Sequence, residues 1–417
     1  MKIFQTLQPS VRRNLLTLFV AGLLFWASLS AMLPVLPLYV QSLGGTGRTI
    51  GWVMGAFAIG LLGTRSILAR LADMRGRKIV LIIGVLAVAI APFCYGLTDS
   101  FIALVAIRAF HGISIAAFTL AFSALVIDLS PPQNRGELIG YMSLVNPIGM
   151  GLGPALGGFL ESQFGFNATF VAAGVLGLLG FCFTLQVKES SRPPQTQAQP
   201  SFSFWSKLGD PRVRVPALML LMVGLSFGAL ITFVPLLVDE AQIDVNVGLF
   251  YTMAAIAGFT LRLLVGRASD FYGRGPFISI SLVLFALSMA VLWDMQGTTG
   301  FLLAGLLEGA GAGTLVPMVA ALMADRSAPE ERGRTFSLCM VGFDLGIAMA
   351  GPLLGAIATQ TSYRAVFGIA TLLSSLGLVV FMAFSSKNLA QSVRFALGRS
   401  PDVYAIDTMP TSMVKNP

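Results

Sequence analysis

Long apolar runs separated by short polar loops dominate the chain. The runs fall at 14–40, 50–70, 79–98, 101–127, 139–160, 168–187, 215–238, 247–266, 277–295, 299–324, 335–358 and 364–385, twelve in all. A helix needs about 20 mostly apolar residues to cross a bilayer core, and each run is near that length or longer. One connection differs. Residues 188–214 are polar and rich in Pro, Ser and Gln, as a surface linker is, and they divide the runs six and six. Phe202, Phe204 and Trp205 within that stretch are expected along the membrane interface. The pattern predicts an all-α membrane protein with twelve transmembrane helices in two six-helix bundles, residues 1–187 and 215–385. A cytoplasmic linker, 188–214, joins the bundles, and a polar tail, 386–417, follows, its end expected to be disordered. Arg12 and Arg13 precede the first run like the start of a signal peptide. The run continues to Val40, too far for one, so it is expected to stay in the mature protein.

Composition narrows the class. Of 417 residues, 55% are hydrophobic and 11% charged, whereas a soluble domain carries about 25% charged residues. A soluble globular protein and a disordered chain are both excluded. The 45 glycines and 21 prolines suit helices that pack closely and bend inside a membrane. The net charge of +8 might suggest nucleic acid, but its distribution points to topology instead. With the N-terminus in the cytoplasm, only Arg48 and Arg364 fall in outer loops, which hold Asp99, Glu161, Asp239, Glu240, Asp244 and Asp294. Basic residues gather on the cytoplasmic side of membrane proteins, so both termini are expected there and no nucleic-acid partner is.

Cys94, Cys182 and Cys339 are isolated in apolar runs and His111 is the only histidine. That excludes a disulfide framework and a histidine-based metal site, and no cofactor is implied. HExxH, GxSxG and Walker A patterns are absent, which argues against an enzyme.

The halves repeat one another. Arg65, Arg70, Asp73, Gly76 and Arg77 recur at constant offset as Arg262, Arg267, Asp270, Gly273 and Arg274; Asp128, Pro132, Arg135 and Gly136 recur as Asp325, Pro329, Arg332 and Gly333. After a one-residue slip, Gly153-Pro154 and Gly157 recur as Gly351-Pro352 and Gly355. Two six-helix copies in the same orientation imply an axis along the membrane normal, about which bundles can rock to give alternating access.

At these residues the chain resembles the major facilitator superfamily of secondary transporters. Ala69-Arg-Leu-Ala-Asp73-Met-Arg-Gly76-Arg77-Lys78 is similar to the family's loop after helix 2, and Gly266-Arg-Ala-Ser-Asp270-Phe-Tyr-Gly273-Arg274 to its copy after helix 8. The resemblance implies a cytoplasmic gate in which Asp73 caps a helix of the other half, Arg77 pairs with Asp128 and Arg274 with Asp325. Arg108-Ala-Phe-His111-Gly112 resembles the motif of helix 4, with His at the usual Gln position. Gly149-x-x-x-Gly153-Pro154-x-x-Gly157-Gly158 resembles the fifth-helix signature of drug-and-proton antiporters.

Charges inside the apolar runs mark candidate chemistry. Arg108 lies too deep for easy snorkelling, and His111 is one turn away on the same face. Glu308 in helix 10 and Asp344 in helix 11 are both near mid-membrane by helix rise, and Asp344 aligns near Asn146 in the repeat. Intramembrane carboxylates are costly and mark ion or substrate pathways. Arg108, Glu308 and Asp344 are therefore expected to form a central ionisable cluster, with His111, Asn146 and Trp26 along the cavity. Helix 1 holds no acid, so proton coupling through it is unsupported, which leaves uniport or coupling through the later helices. The expected function is proton-coupled export of amphipathic or hydrophobic compounds by a monomer in contact with membrane lipid, in a bacterial inner membrane. The alternative is a facilitator or importer of a polar solute, sugar or organic anion, with Arg108 holding the anion.

Overall fold

The computed structural model describes residues 7–189, 209–328 and 331–406. Most of the linker, with Phe202, Phe204 and Trp205, and the end of the tail lie outside the described residues. Among those described, the chain is helical. The first half contains α1 (Pro9–Ser42, interrupted after Ala31), α2 (Gly47–Arg75), α3 (Arg77–Tyr95), α4 (Phe101–Leu129), α5 (Arg135–Ser143 and Val145–Phe164) and α6 (Phe166–Gln186). The second contains α7 (Pro211–Glu240), α8 (Gly248–Tyr272), α9 (Arg274–Trp293), α10 (Gly297–Asp325), α11 (Arg332–Gln360) and α12 (Tyr363–Phe384), followed by a short helix, α13 (Leu389–Ala396).

Eleven of these are long and apolar enough to cross a membrane; the exception is α5. Its spanning segment has 20 residues, but the glycines and prolines that let it pack also dilute its hydropathy. It nevertheless packs along α1 as the other spans pack along their neighbours.

Packing follows the repeat. In the first half α1 lies against α5 and α6, α4 against α2 and α3, and α3 against α6. In the second half α7 lies against α11 and α12, α10 against α8 and α9, and α9 against α12. Each of these contacts in one bundle has its counterpart in the other. The halves meet chiefly through two mirrored pairs, α2 with α11 and α5 with α8. Gly76 and Gly273, the turns after α2 and α8, sit at φ of 96° and 83°, a region that side chains avoid.

Where the two helix pairs carry glycine, their backbones approach closely at one end only. A Cβ on Gly51 would collide with the backbone of Gly351, one on Gly355 with Gly47, and one on Gly248 with Pro154. Farther along the same four helices, Gly63, Gly136, Gly140, Gly266 and Gly333 have no atom near enough to meet a Cβ. The bundles are thus closed where α2 and α8 begin, and parted toward the end carrying the basic loops.

The tail is more ordered than its polarity suggests. Phe395 of α13 lies against Phe381 of α12, with ring centres 6.0 Å apart, and the Ser279 hydroxyl of α9 donates to the Ala396 carbonyl at 2.9 Å. Beyond it, Asp402 forms a two-point ion pair with Arg326 (2.6 and 3.0 Å), whose guanidinium also donates to the Ser385 carbonyl at 3.0 Å.

Candidate functional site

The glycine motif of α5 faces two ways. Gly149, Gly153 and Gly157 lie against Trp26, Ala27, Ser30 and Ala31 of α1, while Pro154 and Gly158 meet Gly248 and Asn246 across the divide. Helical spacing produces this split: residues three and four apart share one stripe, and their neighbours lie on the next. Side-chain donors reinforce both contacts. The Ser30 hydroxyl donates to the Gly149 carbonyl at 2.9 Å, Thr252 to the Gly151 carbonyl at 2.7 Å, and the Asn246 amide to the Ala155 carbonyl at 3.1 Å.

Two cavities adjoin α5. The first, about 210 Å³, is walled by Trp26, Phe118, Phe122 and Met142 and is mostly apolar. Its aromatic wall is packed ring on ring: Phe25 stacks on Phe118 at 3.8 Å, and Trp26 meets Phe118 edge-on at 6.2 Å. The second, about 190 Å³, lies between the halves and holds Tyr251, Arg262 and Glu308. Asn146 lines both. A molecule with an apolar body and one polar group could therefore span them, the body among aromatic rings and the polar group beside a carboxylate.

The expected cluster of Arg108, Glu308 and Asp344 is not brought together. Arg108 is 3% exposed and stays within its own half, 4.6 Å from the centre of the Phe57 ring, with its Nη1 3.5 Å from Nδ1 of His111. His111 is fully buried, and its Nδ1 also bonds the Tyr95 hydroxyl at 3.1 Å. This makes Arg108 part of a packed aromatic and polar nest rather than the partner of a carboxylate. Arg108 Nε and His111 Nε2 are buried with no hydrogen-bond partner.

Asp344 instead pairs across the divide with Arg65 of α2, at 3.0 Å. In the repeat, Arg65 matches Arg262 and Asp344 matches Asn146, so the mirrored position holds an arginine and an amide. There Arg262 donates to the Gly313 carbonyl of α10 from Nε at 3.2 Å and Nη2 at 3.0 Å. The pseudo-symmetry is thus broken in charge at the centre of the molecule. Arg65 entered the sequence reading only as a repeated residue. An arginine inside an apolar run was the signal that could have singled it out.

At the basic end Arg77 approaches Asp128 at 3.6 Å, and Arg274 bridges Asp270 and Asp325, the latter at 3.1 Å. Asp73 is exposed and caps no helix of the other half among the described residues. The start of α3 is capped from the linker instead: the Arg77 and Lys78 amides donate to the Glu189 carboxylate at 2.7 and 3.0 Å. Sequence reasoning missed Glu189 because the linker carried no helical pattern.

Comparison with known proteins agrees with this architecture. A family model of the Major Facilitator Superfamily matches residues 18–270 and 217–402. The chain is 27% identical over 403 residues to the Multidrug resistance protein MdtG of Salmonella choleraesuis (strain SC-B67), covering 93% of this chain and 97% of that one. The MdtG protein of Klebsiella pneumoniae (strain 342) is 26% identical over 389 residues, covering 90% and 93%. Among solved structures, the nucleoside transporter NupG superposes with a TM-score of 0.69 at 16% identity, covering 88% of this chain and 99% of that one. A bacterial homologue of the human lysosomal transporter Spinster, inward-facing and unoccupied, gives 0.72 at 16% identity, covering 97% and 100%. At such identities the structures speak for the fold alone. The family matches together cover residues 18–402, across both mirrored bundles: the chain belongs to the Major Facilitator Superfamily and is an integral membrane transporter.

Proposed function

We propose that the chain exports amphipathic or hydrophobic small molecules from the cytoplasm in exchange for protons. It works as a monomer by alternating access in a bacterial inner membrane, with both termini and residues 188–214 in the cytoplasm. The observation that carries this reading is the pair of cavities sharing Asn146, one aromatic and apolar, the other holding Glu308. Both lie on helices whose cross-contacts close one end and leave the basic end parted. The positive-inside asymmetry supports a cytoplasmic placement of that end. A facilitator of sugars would be served poorly by a wall of Trp26, Phe118 and Phe122. The relatives' shared description as multidrug resistance proteins favours export of the same class of compound.

Everted membrane vesicles with an acidic lumen test the reading. A lipophilic fluorescent compound should accumulate in the lumen and flow out when a protonophore collapses the gradient. Accumulation no greater than in vesicles lacking the protein, or unmoved by the protonophore, would overturn it.

A further inference from the structure

Helix α13 has two faces, and only one is used by the protein. Ser392, Phe395 and Ala396 are buried against α9 and α12. On another face Leu389 and Leu397 are 63% and 48% exposed, two helical turns apart, with partly buried Val393 between them. An isolated helix of 8 residues is not stable in water. This one is held by its docked side and by the Asn388 side chain, which accepts from the Gln391 amide at 2.9 Å. Its leucine stripe is covered only in part by the bundle.

The surroundings say what covers that stripe. α13 packs where α9 begins and α12 ends, and those two helices present apolar side chains outward, including Ile280, Val379 and Phe384, each more than half exposed. The stripe therefore continues a surface that faces lipid. Around it stand Lys387, Arg394 and Arg399, all exposed, and the segment 387–401 contains no Asp or Glu. Asp402, the nearest acid along the chain, is consumed by Arg326. An apolar stripe flanked by basic side chains matches an interface where acyl chains meet anionic headgroups.

We propose that α13 is an interfacial helix that binds anionic phospholipid at the edge of the second bundle, with Leu389, Val393 and Leu397 set into the acyl boundary and Lys387, Arg394 and Arg399 on headgroup phosphates. The site is separate from the transport cavities and stands whether or not export is the function. It also gives the ordered tail a purpose, since the Arg326–Asp402 pair holds the returning chain while α13 lies on the membrane.

A nitroxide at Leu397→Cys, in full-length protein whose Cys94, Cys182 and Cys339 are alanine, reports depth through its relative accessibility to oxygen and to a water-soluble nickel complex. In phosphatidylcholine vesicles containing phosphatidylglycerol, oxygen should dominate, and more so than in phosphatidylcholine alone. The K387Q/R394Q/R399Q variant should lose that lipid dependence, whereas R394K/R399K should retain it. Binding of free spin-labelled phosphatidylglycerol should weaken by roughly fivefold for each charge removed, the worth of one basic residue near an anionic surface. A nitroxide that stays aqueous in both lipids, or a depth indifferent to phosphatidylglycerol, would overturn the proposal. So would lipid binding unchanged in the triple variant.

Discussion

Asp344 and Arg65 form the one ion pair described between the transmembrane parts of the two halves, and their separation of 3.0 Å is that of a direct contact. Arg65 is nearly half exposed, so solvent screens the pair, and its worth to stability is about 0–1 kcal/mol. Its importance lies in position: a proton on Asp344 would remove the charge that draws α11 toward α2. We expect Asp344→Asn to abolish uphill export while leaving downhill exchange and the melting temperature close to wild type. Glu308→Gln tests the other carboxylate in the cavity region. If both variants accumulate compound at the wild-type rate under a proton gradient, neither acid carries the coupling. Sequence made Asp344 and Glu308 legible, since a carboxylate in an apolar run stands out. Their partners were not legible, because Arg65 and Asp344 are separated by 279 positions and only the folded halves bring them together. Arg108 misled for a related reason. Depth along a helix can be counted, but the direction of a side chain cannot, and Arg108 turns toward Phe57 and His111 inside its own bundle.

At the scale of elements, glycine decides where helices meet. Gly51 and Gly351 allow backbone-to-backbone contact between α2 and α11. Gly51→Leu forces these helices apart at the closed end, and overpacking of this kind costs about 1–3 kcal/mol. The expected result is a lower melting temperature and faster thiol labelling of a cysteine placed at Thr359, beside Gly47 on that seam. Gly63→Leu, on the same helix with no neighbouring atom, should leave both unchanged. The tail supplies a second test. The Arg326 side chain has no solvent exposure, and breaking a buried pair of this kind costs about 3–5 kcal/mol. Asp402→Asn should therefore destabilise the second bundle measurably in a thermal melt, although its position in the sequence is only a polar tail. The twelve spans were visible in hydropathy because lipid demands long apolar helices. α13 was not, because eight residues contain too few turns for a helical period to show above composition, and its stability comes from docking. α5 is the weakest of the twelve: its run at 139–160 shows in the apolar pattern, but its glycines and prolines leave it less hydropathic than the other eleven.

The whole molecule is two copies of one bundle that touch through mirrored helix pairs and differ at their centre. Symmetry of packing lets either end close on similar terms. Asymmetry of charge, with Arg65–Asp344 on one side and Arg262 beside Asn146 on the other, is what a proton or substrate would act on in the proposed exchange. In the form described here Asp73 is exposed, as a gate residue is when its gate is open. Asp73→Asn should then favour this form, because it removes an attraction made only when the basic end closes. The direct measurement is a pair of spin-label distance distributions on the purified transporter in membranes. One pair, Met74→Cys with Ser337→Cys, spans the parted end; the other, Ser42→Cys with Thr361→Cys, spans the closed end. Alternating access predicts two populations at each end that move in opposition as pH or a lipophilic compound is varied, with Asp73→Asn enriching the long distance between positions 74 and 337. A single unshifting distribution at both ends, or two ends that open and close together, would contradict it.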